Sequence, residues 1–383
     1  MSTTISPTAL IETHFGNIRD PRASHSIEHN LLDILIISIC GTISGANDFA
    51  AIAEYGKSKE TWLKTFLELK NGIPSADTFE RIFARLKPTE LQKCFIGWME
   101  AVHQATDGEL LNIDGKTLRG AKEAGNSRSL IHMVSVWSAT QNLVLGQKKV
   151  HEKSNEITAI SPLLEMLAIR GCLVSIDAMG CQREIAKTII EQGADYVLAL
   201  KGNQGNLHND VRQLFTSARA QKFHNIDHQF HSTVEKGHGR IEKRSHWTMG
   251  NTQFLIDSEK WTGLKSIGMV ESERNVQGVV SIEQRYYILS IDSDVHRFSQ
   301  AVRSHWSIEN QLHWILDVAF DEDASQCCRG YSAENLAVIR HIGLNLLSRD
   351  KKTKVGVKTK RLKAGWNDNY LKDILTALNI GSL

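Results

Sequence analysis

Two aspartates close short apolar runs, Ile113-Asp114-Gly115-Lys116 and Ser175-Ile176-Asp177-Ala178. A glutamate, Glu309, lies in the segment Arg303-Ser304-His305-Trp306-Ser307-Ile308-Glu309-Asn310-Gln311-Leu312-His313-Trp314. A carboxylate at the end of a buried strand is costly without a partner, and the C-terminal edge of a partly parallel sheet is where ligands bind. Taken singly, either Asp also reads as the cap of the turn or helix that follows it; the recurrence suggests a shared site. On a helix, Ile308, Leu312, Ile315 and Ala319 form one apolar stripe, while His305, Glu309 and His313 advance by about 40° per step along a neighbouring face. An i,i+4 pairing of Glu309 with His305 or His313 is the plainer reading of that face. The H-E-x-x-H spacing of a zinc site is absent. Three carboxylates on a sheet backed by a helix would form a hard oxygen cage suited to Mg²⁺ or Mn²⁺. Two such ions activate a water or a 3′-hydroxyl and stabilise a leaving 3′-oxygen, so phosphoryl transfer needs acids here and no Ser or Cys nucleophile.

The elements around these residues predict an α/β protein, an RNase H-like mixed sheet with a β-rich insertion, preceded by a helical N-terminal domain. Apolar spacing predicts helices over Asn30 to Ile43, Asp48 to Leu69 and Thr78 to Leu86, and Pro88-Thr89-Glu90 opens another. Short helices of this kind also build DNA-reading domains, so residues 1–104 read as a helical unit with possible DNA binding. Strands at Leu110 to Asp114, Leu130 to Ala139 and Leu143 to Val150 form a meander. Helix, strand, helix, strand and helix then follow at Ile157 to Ile169, Cys172 to Asp177, Gln182 to Gln192, Tyr196 to Lys201 and Leu207 to Ala220. No G-x-G-x-x-G turn follows the first strand, which argues against a dinucleotide fold. Helical periodicity disappears over about 222–292, a β-rich insertion, and returns from Arg297. The catalytic domain is expected over 105–348, with a basic tail over 349–383.

The chain has 383 residues, 41% of them hydrophobic and 23% charged, enough for two or three ordinary folded domains and unlike a disordered or rod-like chain. Lys and Arg number 45 against 43 Asp and Glu, so a nucleic-acid partner must be argued from local clusters rather than net charge. No apolar run approaches the ~20 residues of a membrane helix. The six cysteines form no C-x-x-C pair. Buried free thiols in a reducing cytoplasm are expected.

Five stretches together resemble a known family. They are Asn112-Ile113-Asp114-Gly115-Lys116, Ser175-Ile176-Asp177-Ala178-Met179-Gly180, Leu200-Lys201-Gly202-Asn203-Gln204, Gly237-His238-Gly239-Arg240-Ile241-Glu242 and His305-Trp306-Ser307-Ile308-Glu309-Asn310. In this order the chain resembles the DDE transposases of bacterial insertion sequences, in the H-repeat-associated branch. The resemblance implies Asp114, Asp177 and Glu309 as catalytic, metal-holding acids, with Mg²⁺ or Mn²⁺ as cofactor. It implies cleavage and strand transfer at insertion-sequence ends without a covalent protein–DNA intermediate. The implied setting is double-stranded DNA of element ends and target, a homodimer or larger synaptic complex, and a nucleoid-associated place in a bacterial cytoplasm. An RNase H-like nuclease and a catalytically silent DNA-binding descendant are the alternatives. Hairpin-forming members of the wider group place a Tyr seven residues before the Glu, an Arg four before it and a Lys or Arg seven after it. Here those positions hold Val302, His305 and Leu316, so the hairpin step does not carry over.

DNA contacts are expected from Lys116, Lys201, Arg240, Arg303, His305, Lys358, Lys360 and Arg361. The run Lys351 to Lys363 carries seven positive charges and no acid, which suits phosphate binding and equally a solvated basic loop. Lys201 to Asn206 reads either as a phosphate-facing turn or as a plain strand-to-helix turn. His224, His228, His231, His238 and His246 crowd the insertion and read as surface residues rather than a metal site. Asp317, Asp321, Glu322 and Asp323 rank behind Glu309 as ligands, at a helix end where solvation is expected.

Overall fold

The computed structural model describes residues 8–102, 108–123, 126–150, 157–237 and 240–376. Six helices come first: α1 (Ala9–Phe15), α2 (Leu31–Ile43), α3 (Phe49–Ser58), α4 (Glu60–Leu63), α5 (Ala76–Arg85) and α6 (Pro88–Val102). Their starts carry ordinary caps: the Asn30 side chain accepts from Leu32 N–H at 2.9 Å, and Ser75 accepts from Thr78 N–H at 3.3 Å. Helix α2 is buried almost all round, as an apolar helix at the centre of a bundle must be.

The sheet follows with β1 (Leu110–Glu123), β2 (Asn126–Ser138), β3 (Leu143–Val150), α7 (Ile157–Leu164), β4 (Leu173–Ile176), α8 (Arg183–Glu191), β5 (Asp195–Leu200) and α9 (Gly205–Ala220). Strands β6 (His228–Gly237), β7 (Arg240–Met249), β8 (Ser266–Val276) and β9 (Val279–Leu289) come next. Helix α10 (Val295–Ile308), a π turn (Glu309–His313), α11 (Trp314–Phe320), α12 (Ser332–Arg349), α13 (Val357–Trp366) and α14 (Asp368–Thr376) are the last described elements. The strand order is β3-β2-β1-β4-β5-β9-β8-β7-β6. Strands β1, β4 and β5 are parallel, and the pairs β1/β2 and β2/β3 are antiparallel, which is the RNase H-like order expected from the sequence. The insertion joins the same sheet: β9 runs antiparallel beside β5, with Val197 opposite Leu289.

Both faces of the sheet centre are covered. On one, Val174, Ile176, Tyr196 and Leu198 pack with Ile160, Leu163, Ile185, Ile189, Val211 and Phe215 from α7, α8 and α9. On the other, Leu173, Val197, Val270 and Leu289 meet Phe298, Ala301 and Val302 of α10. Double coverage is why β4 carries apolar residues on both faces, with Ser175 its one polar position. Gly268 permits the close approach of α10, since a Cβ there would lie 2.6 Å from the Phe298 ring. A third core joins α1 to α6 with α11, α12, α13 and α14.

Three expectations are corrected. The 349–383 segment is no free tail: up to Thr376 it forms α13 and α14, with Ala364, Leu371 and Ile374 buried. Strand β1 does not stop at Asp114, because β2 goes on pairing with it after β4 has ended. The cysteines are free, but Cys328 is exposed.

Candidate active site

Side chains alternate along a strand, so Leu173 facing α10 places Ser175 and Asp177 on that side as well. The parallel register sets Asn112 beside Ser175 and Ile113 beside Ile176, which puts Asp114 beside Asp177 at the end of the shared ladder. Helix α10, the π turn and α11 then run along β1, and each successive inward residue of the strand meets the next turn.

The first meeting is a hydrogen-bond network. Asn112, fully buried, donates through Nδ2 to Ser304 O and Oγ, both at 2.9 Å. Ser175 Oγ donates to Asn112 Oδ1 at 2.7 Å and lies 3.1 Å from His305 Nδ1. With the hydroxyl proton spent on Asn112, His305 Nδ1–H is the donor in that second bond. Burial pushes the His305 pKa down against the pull of Asp114 and Asp177.

The second meeting holds the acids. Asp114 Oδ1 accepts from Gly115 N–H at 2.9 Å, and its Oδ2 lies 3.7 Å from His313 Nδ1. Burial raises the Asp114 pKa, His313 and His305 oppose that rise, and the neighbouring charge of Asp177 adds to it. Glu309 is 72% exposed and reaches His313 Nδ1 through Oε2 at 3.1 Å. One ligand atom each from Asp114, Glu309 and His313 lie within 4.8 Å of one another. Such spacing suits a single ion at bond lengths of about 2.0–2.6 Å. Asp177 stands outside this group. Its Oδ1 accepts from Met179 N–H at 3.1 Å and Gly180 N–H at 3.3 Å, the turn-capping role an Asp takes after a strand.

The third meeting corrects a DNA-contact expectation. Lys116 reaches Asp317, Glu322 at 2.8 Å and Asp323 at 3.9 Å. Glu322 is 2% exposed and Arg340 Nη1 lies 3.9 Å from it. Burial would raise the Glu322 pKa, yet Lys116, Arg340 and His341 hold it below the usual carboxylate value. Lys116 is thus consumed by a buried ion cluster, and the acids expected to be solvated include its centre.

The other expected DNA contacts divide by burial. Lys201, Arg240, Arg303 and Lys358 are exposed. Arg303 pairs with Glu235 at 2.9 Å, and Arg240 lies 4.0 Å from Glu242. The loop carrying Lys201 is tied to the Asp177 turn, because Asn203 Nδ2 donates to Ala178 O at 2.7 Å and Gln204 Nε2 to Cys181 O at 2.9 Å. Lys360 and Arg361 are buried and cannot face phosphate. Lys360 Nζ donates to Leu347 O and Asp350 O, and Arg361 donates to Thr42 O, Ala46 O and Asn47 Oδ1. In the insertion His246 is buried and His228 stacks on Phe223 with ring centroids 4.2 Å apart; His238 lies outside the described residues. Among the described residues no metal-compatible grouping includes the insertion's histidines. His313 is the residue the sequence undervalued: its i,i+4 spacing from Glu309 was visible, but its reach to Asp114 was not.

Comparisons with known proteins identify the family. Residues 103–346 match the family model described as Transposase DDE domain, and residues 12–99 match DDE_Tnp_1-associated. The "H repeat-associated putative transposase YhhI" of Escherichia coli (strain K12) is 41% identical over 94% of this chain and 96% of its own length. The "Putative transposase YncI" of Escherichia coli O157:H7 is 42% identical over 94% and 93%. A solved piggyBac transposase synaptic complex with hairpin DNA aligns over 98% of this chain and 82% of its own, at 10% identity and a TM-score of 0.43. The strand order, not that score, identifies the fold. The chain belongs to the DDE-domain transposases, among the H-repeat-associated relatives.

Proposed function

We propose that this transposase cuts and joins DNA at the ends of an insertion sequence, with divalent ions held by Asp114, Asp177 and Glu309. The observation that carries the reading is the approach of Asp114 and Glu309, from a strand and a distant helix, to within the span of one ion. The donors are mainly hard carboxylate oxygens, which fit Mg²⁺ or Mn²⁺. In this reading Asp114, with Asp177 on one side and Glu309 on the other, serves two ion positions. When bound, the ions supply Lewis-acid activation of the attacking hydroxyl or water and of the leaving 3′-oxygen.

The chain's own residues orient and hold. The Asn112–Ser175–Ser304 network fixes the last turn of α10, which leads into the π turn that presents Glu309, and His305 is locked beside both aspartates. Lys201, Arg240, Arg303, His305 and Lys358 serve as DNA contacts, while the amides at the start of α9 offer a phosphate seat beside Asp177. Double-stranded DNA held by two or more copies is the implied assembly. The proposed division is an associated helical unit over 1–104 and a catalytic unit over 105–348. Among the described residues no helix is long and apolar enough to cross a membrane, and a place on the bacterial nucleoid follows from the DNA substrate.

The test is incubation of the purified chain with element-end duplexes and target DNA in Mg²⁺ or Mn²⁺. Nicks with free 3′-hydroxyls and joined products are expected, and Asp114→Asn, Asp177→Asn and Glu309→Gln each abolish both while DNA affinity is kept. Cutting without joining would favour a plain nuclease; normal cutting by the variants would end the assignment.

A further inference from the structure

The same geometry that supports three acids introduces a fourth group. His313 is 6% exposed on its side chain, and its Nδ1 lies between two carboxylates, 3.1 Å from Glu309 Oε2 and 3.7 Å from Asp114 Oδ2. Asp177 belongs to no grouping this tight among the described residues. We infer that His313, through Nδ1, is a third protein ligand of the ion held between Asp114 and Glu309, so that this position is a mixed oxygen–nitrogen site. The inference rests on the divalent-ion reading above and adds to it a ligand of different chemistry.

A feature of the backbone points the same way: the π turn spans Glu309–His313, with the two helix residues of the grouping as its first and last. Wide turns of this kind recur at functional sites. Here the extra residue in the turn shifts the apolar stripe: Leu316 is buried and Ile315 only half-buried, the reverse of what an unbroken α-helix predicts. His313 is thereby turned inward beside Leu312, while Glu309 stays at the rim. At the other edge of the His313 ring, Nε2 is buried with no hydrogen-bond partner among the described residues; ligation at Nδ1 would put the ring proton there and turn the Nδ1 lone pair toward the acids.

An imidazole ligand has a consequence for metal choice. Mg²⁺ favours oxygen donors, whereas first-row transition ions accept nitrogen readily. The site should therefore hold Mn²⁺ more tightly than Mg²⁺, and His313 should be the source of the difference.

The experiment is pulsed EPR on the full chain loaded with substoichiometric Mn²⁺, alongside Mn²⁺ and Mg²⁺ titrations. The wild type should show ¹⁴N modulation of the bound Mn²⁺, replaced by a ¹⁵N signal when the protein is made with ¹⁵N-histidine. His313→Ala should lose the nitrogen signal and weaken Mn²⁺ binding about tenfold, with Mg²⁺ binding changed much less, while His305→Ala keeps the signal. Bound Mn²⁺ without nitrogen coupling in the wild type would overturn the inference, as would coupling that survives His313→Ala and vanishes in His305→Ala. The labelled wild type decides the presence of a nitrogen ligand even if a variant does not fold. Failure of the underlying metal reading looks different: no Mn²⁺ bound by the wild type, or binding untouched by Asp114→Asn.

Discussion

A charged side chain in this protein is defined by what surrounds it more than by its type. Asp114 is pushed toward its neutral form by burial, a bias that a bound cation would reverse. Lys116, two residues along the same strand face, spends its charge on Glu322 and Asp317. His341 sits against that cluster, 3% exposed, with Glu322, Lys116, His313 and Arg340 around it, and burial holds its pKa at about 4. His246, edge-on to Phe298, is held by burial at about 4 as well. In the unfolded chain both titrate near 6.5. Their folded pKa values are lower, so on acidification the unfolded chain takes up protons first. The stability that depends on their neutrality is complete above about pH 6.5 and drains as pH falls toward 4. At ~1.4 kcal/mol per pH unit, the two histidines together remove roughly 4 kcal/mol by pH 5. Urea unfolding at pH 7.5 and pH 5 should show that fall, and His341→Leu should make it shallower; equal slopes for wild type and variant would refute the argument.

Elements carry these residues into place, and one tight joint is between β8 and α10. Gly268 faces the Phe298 ring so closely that an added Cβ would lie 2.6 to 2.9 Å from its ring carbons. Gly268→Ala must therefore push α10 off the sheet, at an overpacking cost of about 1–3 kcal/mol. The helix it moves is the one pinned to β1 and β4 by Ser304 and His305 and continued by Glu309. The variant should show both a lowered urea midpoint and weakened Mn²⁺ binding; a stability loss with metal binding intact would mean that the π turn is positioned independently of α10. Much at this scale was legible in advance. Apolar runs located β3 at its observed bounds, and the three-strand meander followed by helix and strand alternation pointed to an RNase H-like mixed sheet, though not to the insertion's strands extending it. The π turn was not legible, because apolar spacing at Ile308, Leu312, Ile315 and Ala319 looks the same whether or not a turn holds an extra residue. Nor was the length of β1 past Asp114, which depends on its pairing with β2 rather than on its own sequence.

At the scale of the whole molecule, the first and last described helices share one core, and a single arginine shows why a run of charge could not be read as a surface. Within Lys351 to Lys363 the sequence offers seven equivalent cations. In the fold, Lys358 is exposed, whereas Arg361 lies where α2 and α11 both end. Its Nε and Nη2 donate to Thr42 O at 2.9 and 2.6 Å, Nη2 also reaches Ala46 O at 3.1 Å, and Nη1 meets Ala319 O. The guanidinium packs over the Phe320 ring at 4.2 Å. A cation among C-terminal carbonyls satisfies acceptors that the helices leave open and complements their dipoles. Burial lowers the Arg361 pKa to about 10, so it stays charged at neutral pH. Arg361→Ala strands several buried carbonyls at once, each worth about 1–3 kcal/mol. The N-terminal helices should loosen together with α13, seen as a drop of several kcal/mol in urea unfolding and faster amide exchange in α2. Lys358→Ala should leave stability within about 0.5 kcal/mol and instead reduce the slope of log affinity against log salt by about one phosphate contact's worth. If Arg361→Ala changed only DNA binding, or Lys358→Ala changed only stability, the division of this helix into a structural and a DNA-facing side would be wrong.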